Sequence, residues 1–157
     1  MRQGHNSVVE KVNHRVVKHI KYCEPYVEYH TLAKVSTLGP MFPQHVKAEG
    51  PCIVSYDYID GITLREYLED PNFPNLEQHQ MNLVDQMLHI NRLLENENLY
   101  WGDQVLDNFI LDQDGIVHPI DFAYMTDHIH YDKLLYLWYR SGLIHDKVLQ
   151  HYLDKIK

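Results

Sequence analysis

The chain has 157 residues and a formal net charge of −8, with 45% hydrophobic and 23% charged residues. This composition predicts a folded chain that can bury a core without disulfides or metal ions. The acidic balance argues against nucleic acid or an anionic membrane as the main partner. The sequence contains no run of about 18 apolar residues, so no membrane span is predicted, and the first ten residues lack the apolar core of a signal peptide.

The cysteines bear on the location of the protein in the cell. Cys23 and Cys52 are the two cysteines of the chain, and their spacing matches neither a metal site nor a disulfide framework. We expect both thiols to be reduced, as in most cytosolic proteins. The sequence therefore predicts a cytoplasmic protein of a cell or a host.

The N-terminal part predicts a small sheet with one helix. The β-branched runs SVVEKV and RVVKHI, separated by Asn-His, are typical of a hairpin. The stretch EPYVEYHTLAKVSTLG has helical spacing of apolar residues between Pro25 and Gly39. QHVKAEG and CIVSYDYID predict two further strands around a turn at Gly50 and Pro51.

The C-terminal part is predicted to be mostly helical. TLREYLED predicts a short helix in which Thr63 is the N-cap and Glu66 completes a capping box. The longest amphipathic helix is predicted from Leu76 to about Leu94. NFILD and IVHPID flank QDG and predict a hairpin, and two helices divided at Gly142 follow. The predicted fold class is α+β.

Phosphoryl transfer from a nucleotide needs three kinds of group, and the sequence holds each of them. A cation must face the phosphates, oxygen ligands must hold magnesium, and a carboxylate must orient the attacking hydroxyl. Lys18 ends VVK on a predicted strand, and Glu28 follows on the predicted helix as its partner, with Glu24 as the alternative. Asp103 and Asn108, in GDQVLDN, have the D-x-x-x-x-N spacing.

The third motif residue, after Asp103 and Asn108, is Asp121, in IDF at the end of the strand that follows. The stretch GDQVLDNFILDQDGIVHPIDF resembles the pattern GDlhpgNilvdedGkvvpIDF of the protein-kinase-like superfamily. The likeness is to aminoglycoside phosphotransferases, choline kinases and Rio-type atypical kinases. IVSYDYIDGITLREYL resembles the strand, hinge and helix written there as lvmEyidGetL, and the resemblance spans about residues 4 to 138.

The resemblance implies a kinase-like two-lobe fold in a single domain, residues 1–157. Its N-terminal lobe, with a small antiparallel sheet and one helix, would be residues 1–56, its hinge residues 57–62, and its reduced, mostly helical C-terminal lobe residues 63–157. The implied cofactors are ATP and Mg²⁺.

The resemblance also implies a role for each motif residue. Lys18 would contact the phosphates and Glu28 would hold Lys18. Asp103 would orient or deprotonate the acceptor hydroxyl. Asn108 and Asp121 would hold Mg²⁺.

Further roles are implied outside these motifs. Gly4 and Ser7 would lie in the loop over the phosphates. Asp57 and Tyr58 would lie in the hinge, where backbone groups meet the adenine. Asp132, in YDKLLYL, resembles the aspartate that braces the catalytic loop in this superfamily.

Three functions fit this pattern. The first is an ATP- and magnesium-dependent phosphotransferase whose acceptor is a small molecule with a hydroxyl group. The second is a degenerate nucleotide-binding module that regulates a partner protein, favoured by Trp101 in place of the frequent histidine, Ala123 in place of glycine, and the single glycine of GHNS. The third is a minimal Ser/Thr protein kinase, against which the short segment after Asp121 argues.

A partner chain is predicted at the start of the sheet. Met1–Gln3 is too short to supply the strand that precedes the glycine loop in this superfamily, so SVVEKV would lie at an open edge. We expect a partner chain or a second copy of the chain to cover that edge. Alternatively, the charges of Glu10, Lys11 and Arg15 protect it in a monomer.

Overall fold

The structure, a computed structural model, describes residues 2–3, 7–22, 26–73 and 76–157. These residues form an α+β arrangement of five α-helices and two small antiparallel sheets, which confirms the predicted fold class at this level. The chain divides into two units, Met1–Asp60 (unit 1) and Gly61–Lys157 (unit 2). Within the described ranges, no helix is long and apolar enough to cross a membrane.

Unit 1 contains a five-stranded sheet and one helix. The strands follow the order β1-β2-β3-β5-β4 and have these bounds: β1 Arg2–Gln3, β2 Ser7–Val12, β3 Arg15–Ile20, β4 Lys47–Gly50 and β5 Ile53–Asp57. Helix α1 spans Val27–Val35 and continues into a 3-10 turn at Ser36–Leu38. The buried apolar side chains among the described residues of this unit include Leu32, Val35, Phe42, Val54 and Tyr56.

The first hairpin confirms the sequence prediction. Strands β2 and β3 pair from Ser7↔Ile20 to Val12↔Arg15, so two residues form the turn. The first of them, Asn13, has φ 57, which is the backbone that a tight two-residue hairpin needs and that asparagine tolerates. The expectation that Met1–Gln3 supplies no strand is wrong, because Arg2–Gln3 pair with Val8 and Val9.

Unit 2 contains a three-stranded sheet and four helices. The strands are β6 Gly61–Thr63, β7 Phe109–Asp112 and β8 Val117–Pro119, in the order β6-β7-β8. The helices are α2 Leu64–Glu69, α3 Glu77–Glu95, α4 Tyr131–Arg140 and α5 Asp146–Lys155. The capping box of Thr63 and Glu66 is present, and the predicted apolar face of α3 is buried at Leu83, Met87, Ile90 and Leu94.

Two features of the chain differ from the sequence prediction. Strand β6 was not predicted; it pairs Gly61↔Asp112, and a Cβ on Gly61 would lie 2.3 Å from the backbone oxygen of Leu111. Cys52 is disulfide-bonded, so the prediction of a reduced thiol is wrong there, and Cys23 lies outside the described residues. Because disulfides form in oxidising compartments, the cysteines no longer support a cytoplasmic location.

Candidate functional site

Unit 1 contains a buried ion pair. Nζ of Lys18 lies 2.5 Å from Oε1 of Glu28, and the two side chains are only 6% and 8% exposed. Lysine and glutamate are almost never this buried unless they are paired. The structure thus brings together the two residues that the resemblance pairs. Glu24, the alternative partner, lies outside the described residues.

The sheet and the helix explain why this pair is buried. Lys18 lies in β3, a central strand flanked by β2 and β5, and its register partners are Val9 and Val54. Glu28 lies in the first turn of α1, where the positive end of the helix dipole also stabilises its negative charge. The pair therefore fixes an ammonium group in a site with little water, where its charge acts strongly.

The remaining predicted nucleotide contacts in unit 1 have mixed outcomes. Gly4 lies outside the described residues, and Ser7 is buried at the start of β2. The backbone N–H of Asp57 donates to the carbonyl oxygen of Gln44 at 2.9 Å. The N–H of Tyr58 donates to the carbonyl oxygen of His14 at 2.8 Å. These two N–H groups are therefore already used within unit 1, which is at odds with their donating to an adenine.

The Asp57 side chain belongs to a polar cluster on the same sheet. Its carboxylate accepts from Nη1 of Arg15 at 2.9 Å and lies 2.5 Å from Nδ1 of His45. Arg15 also donates to Oγ of Ser55, whose hydroxyl donates to Glu49 at 2.7 Å. This cluster ties β3, β4 and β5 together and gives the Asp57 side chain a structural task.

In unit 2, the structure brings Asp103 and Asn108 into contact. Nδ2 of Asn108 donates to the backbone oxygen of Asp103 at 2.8 Å and to its carboxylate at 3.1 Å. Asn108 is buried, whereas Asp103 is half-buried. Because both donations use the amide nitrogen, the amide orientation is fixed and Oδ1 remains as the acceptor atom that can serve a ligand.

Asp121 is held by its backbone in an uncommon conformation. Its φ is 66, in the left-handed region that few non-glycine residues adopt. Its carbonyl oxygen accepts a hydrogen bond of 2.8 Å from the indole Nε1 of Trp101. Such conformations are concentrated at functional sites, where the surrounding structure maintains them. Trp101, which departs from the family pattern, is thus the residue that links the GDQVLDN and IDF motifs.

The backbone around Gly102 completes this link. The N–H of Gly102 donates to the carbonyl oxygen of Tyr124 at 3.0 Å, and Trp101 forms a bridge with Met125. A Cβ on Gly102 would lie 2.4 Å from the Tyr124 ring and 2.7 Å from Cγ2 of Thr126. Only glycine fits at the position before Asp103 with this packing.

A buried amide pair beside Asp103 was not predicted from the sequence. Asn91 of α3 and Gln104 exchange two hydrogen bonds, of 2.8 and 2.6 Å. The indole Nε1 of Trp138, in α4, donates to the carbonyl oxygen of Gln104 at 3.1 Å. The available signal was the position of Asn91, four residues after Met87 on the apolar face of α3.

Asp132 lies at the start of α4. It is exposed in the first turn of α4 and lines an open cleft of about 660 Å³ between α4 and α5. The contacts that brace the Asp103 segment come from Asn91 and Trp138. The bracing role that the resemblance implies for Asp132 stays a prediction.

The donor set around Asn108 suits a hard cation that brings its own phosphate ligands. An amide oxygen and a carboxylate are oxygen ligands of the kind that Mg²⁺ takes, and Mg²⁺ is usually bound through one or two carboxylates together with phosphates and water. Over the parts of the chain that the structure describes, no group of three or more His, Cys, Asp or Glu side chains is arranged to hold a metal ion.

Comparison of the sequence with protein-family models and with curated proteins finds no match.

Proposed function

We propose that the chain is a kinase-like, ATP- and magnesium-dependent phosphotransferase that moves the γ-phosphate to the hydroxyl group of a small molecule. The observation that carries this proposal is the contact of Asn108 with Asp103, which fixes a carboxylate and an amide oxygen side by side. In many proteins a buried asparagine serves only to form hydrogen bonds with backbone groups. Here Asn108 also matches a motif, and the second half of that motif, Asp121, accepts a hydrogen bond from Trp101.

Each residue has a task in the proposed reaction. The Lys18 ammonium, held by Glu28, neutralises charge on the phosphates. Asp103 accepts the hydrogen bond of the acceptor hydroxyl, orients its oxygen toward the γ-phosphorus and takes its proton as the new P–O bond forms. The bond from that phosphorus to the β–γ bridging oxygen breaks, and ADP leaves with the bonding electrons.

The magnesium site would be formed by Asn108 and Asp121. When bound, the ion supplies positive charge against the phosphate oxygens. Asn108 contributes Oδ1, because its Nδ2 is committed to Asp103. Asp121 would contribute its carboxylate, which accepts a hydrogen bond of 3.4 Å from the N–H of Ala123.

A second candidate function is a nucleotide-binding module that regulates a partner. The observation that favours it is the use of the Asp57 and Tyr58 N–H groups within unit 1, since it removes two possible donors to the base. Both candidates require Mg-ATP binding, and only the first requires turnover.

The test is incubation with magnesium and γ-labelled ATP, scored for hydrolysis, autophosphorylation and transfer to a panel of hydroxyl compounds. We expect transfer to at least one small-molecule acceptor. In parallel, millimolar Mg-ATP should raise the melting temperature, and EDTA should remove most of that rise. Absence of any thermal shift contradicts both candidates, whereas a shift without turnover favours the regulatory module.

A further inference from the structure

The segment that carries Asp103 is anchored by two buried amides. Gln104 is 0% exposed and Asn91 is 1% exposed. Each donates one hydrogen bond to the other, Asn91 to Oε1 at 2.8 Å and Gln104 to Oδ1 at 2.6 Å. Their second N–H groups donate to the carbonyl oxygens of Met87 and Trp101, both at 2.9 Å. All four amide N–H donors are therefore satisfied in the interior.

The hydrogen bonds fall on both sides of Asp103. The carbonyl of Trp101 lies two residues before it, and Gln104 follows it directly. The carbonyl of Gln104 also accepts from Trp138, so α3 and α4 both hold the backbone at this point. Asp103 thus lies between two anchored neighbours, and its own carboxylate contacts Asn108.

Core packing alone does not explain a reciprocal amide pair. Two apolar side chains of the same shape fill the same volume, and replacing both partners of a buried hydrogen bond in this way is close to neutral for stability. A fully satisfied polar network in the interior instead defines one arrangement of the groups around it. The pair therefore adds geometric definition to the segment that it holds.

We propose that Asn91 and Gln104 are positioning residues that set the location of the Asp103 carboxylate relative to the acceptor hydroxyl. This inference rests on the proposed phosphotransferase function. Two uncharged residues outside the motifs would then contribute to the turnover rate, because a reacting group misplaced by about 1 Å can cost roughly 100-fold in turnover.

The decisive variant is the double substitution Asn91→Leu with Gln104→Met. The single Asn91→Leu leaves the Gln104 amide buried without its partner and should lower the melting temperature, whereas the double variant should recover most of that loss. With Mg-ATP and water as the acceptor, we expect the double variant to lose about 10-fold to 100-fold in kcat, with little change in the KM for Mg-ATP.

A second readout is independent of activity. The N–H groups of Gly102 and Asn108 donate to Tyr124 and Val105, both at 3.0 Å, and report whether the segment is held. Hydrogen exchange at these two amides should be faster in the double variant by about 10-fold or more. Asn82→Ala is the matched control, since Asn82 is an exposed amide on α3 that contacts Gln86 instead.

The outcomes separate the two claims. A double variant with wild-type kcat and wild-type exchange overturns the positioning role. If the wild-type protein shows no turnover, the proposed function fails, and exchange alone decides whether the pair holds the segment. If the double variant does not fold, Asn91→Asp serves instead: it keeps the side-chain volume, and its ionised carboxylate cannot donate to Gln104, so the Gly102 amide should be less protected from exchange than in the wild type at the same pH, and equal protection overturns the positioning role.

Discussion

Nζ of Lys18 lies 2.5 Å from Oε1 of Glu28 in the interior of unit 1. Removing one member of such a pair takes the nearest opposite charge away from a buried ion, and breaking a buried pair in this way typically costs about 3–5 kcal/mol. We therefore expect Glu28→Gln to lower the free energy of unfolding by about that amount, measured by urea denaturation.

A double substitution separates stability from nucleotide binding. Lys18→Met with Glu28→Leu replaces the pair by apolar side chains and should restore most of the stability, yet it should abolish the Mg-ATP thermal shift. Glu10→Gln, at the exposed pair with His19, is the control and should change stability by less than about 1 kcal/mol. Wild-type stability of Glu28→Gln would contradict the structural role assigned to the pair.

Tyr131 should give an alkaline signature. Burial, followed by its hydrogen bond to Glu95, raises the pKa of Tyr131 to about 12 from an ordinary 10.0. Its hydroxyl donates to Oε2 of Glu95 at 2.7 Å and so links α4 to α3. Because the folded-state pKa is raised, this contribution is fully present below pH 10 and is lost as the pH rises toward 12.

Tyr131→Phe tests this contribution. The variant should lose about 1–2 kcal/mol at neutral pH and should lack the part of the stability decrease that the wild type shows between pH 10 and about 12. Urea denaturation at several pH values measures both effects. Tyr136→Phe, an exposed tyrosine on the same helix, should match the wild type, and identical alkaline curves for wild type and Tyr131→Phe would refute the assignment.

Local signals explain which parts of the fold could be predicted. The hairpin turn at Asn13, the capping box at Thr63 and the long amphipathic helix each depend on a few neighbouring residues, and the structure confirms them. Strand β6 could not be found, because three residues carry no alternation and their partners lie about fifty positions away in β7.

The residues of the candidate site also fall into two groups, those that the sequence indicates and those that only the packing brings together. Asp103, Asn108 and Asp121 follow from the spacing of the motifs. Asn91 and Gln104 meet only because a helix and a loop pack together, and a single polar residue on an apolar face gives no indication of its partner. The roles of these residues in nucleotide chemistry stay a prediction.

Asp112 should give an acid signature in unit 2. Burial raises the pKa of Asp112, but hydrogen bonds from His118 and from the N–H groups of Ile116 and Asp114 outweigh it and hold the pKa below its ordinary value. A lowered folded-state pKa contributes stability above the ordinary value of 3.8 that is lost as the pH falls through the folded-state pKa.

Asp112→Ala removes this contribution. It deletes the acceptor of two backbone N–H groups at the hairpin between β7 and β8, so we expect a loss of about 1–2 kcal/mol at neutral pH and a shallower decrease of stability below pH 4. Thermal melts from pH 7 to pH 2 measure both. Asp114→Ala, at an exposed turn position, is the control; an equal effect in the two variants would argue against the cap.

The edge of the unit 1 sheet predicts self-association. Among the described residues, strand β1 pairs with Val8 and Val9 of β2. The three charges near this edge contact groups of the same unit: Glu10 contacts His19 at 3.2 Å, Nζ of Lys11 lies 3.8 Å from the centre of the Tyr58 ring, and Arg15 contacts Asp57 at 2.9 Å. Unprotected edges pair with other chains.

We expect the sedimentation coefficient to rise with concentration in the micromolar range. Val12→Lys should reduce this rise, because Val12 is 44% exposed at the end of β2 and a lysine there opposes strand addition. Ile156→Lys adds the same charge after α5 and should leave the rise unchanged. A monomer at every concentration would rule out a second copy of the chain at this edge and leave a different partner chain as the remaining proposal.

Asp103 and Asp121 separate turnover from nucleotide binding. Asp103 acts on the acceptor, so Asp103→Asn should lower phosphoryl transfer by about 100-fold to 10,000-fold while leaving the Mg-ATP thermal shift largely intact. Asp121 acts on magnesium, so Asp121→Asn should weaken the transfer and the thermal shift together. Asp114→Asn removes one negative charge from an exposed hairpin turn and should change neither. If wild type and Asp103→Asn show the same low ATP hydrolysis, the carboxylate beside Asn108 is not acting on an acceptor, and the retained thermal shift then favours the regulatory module.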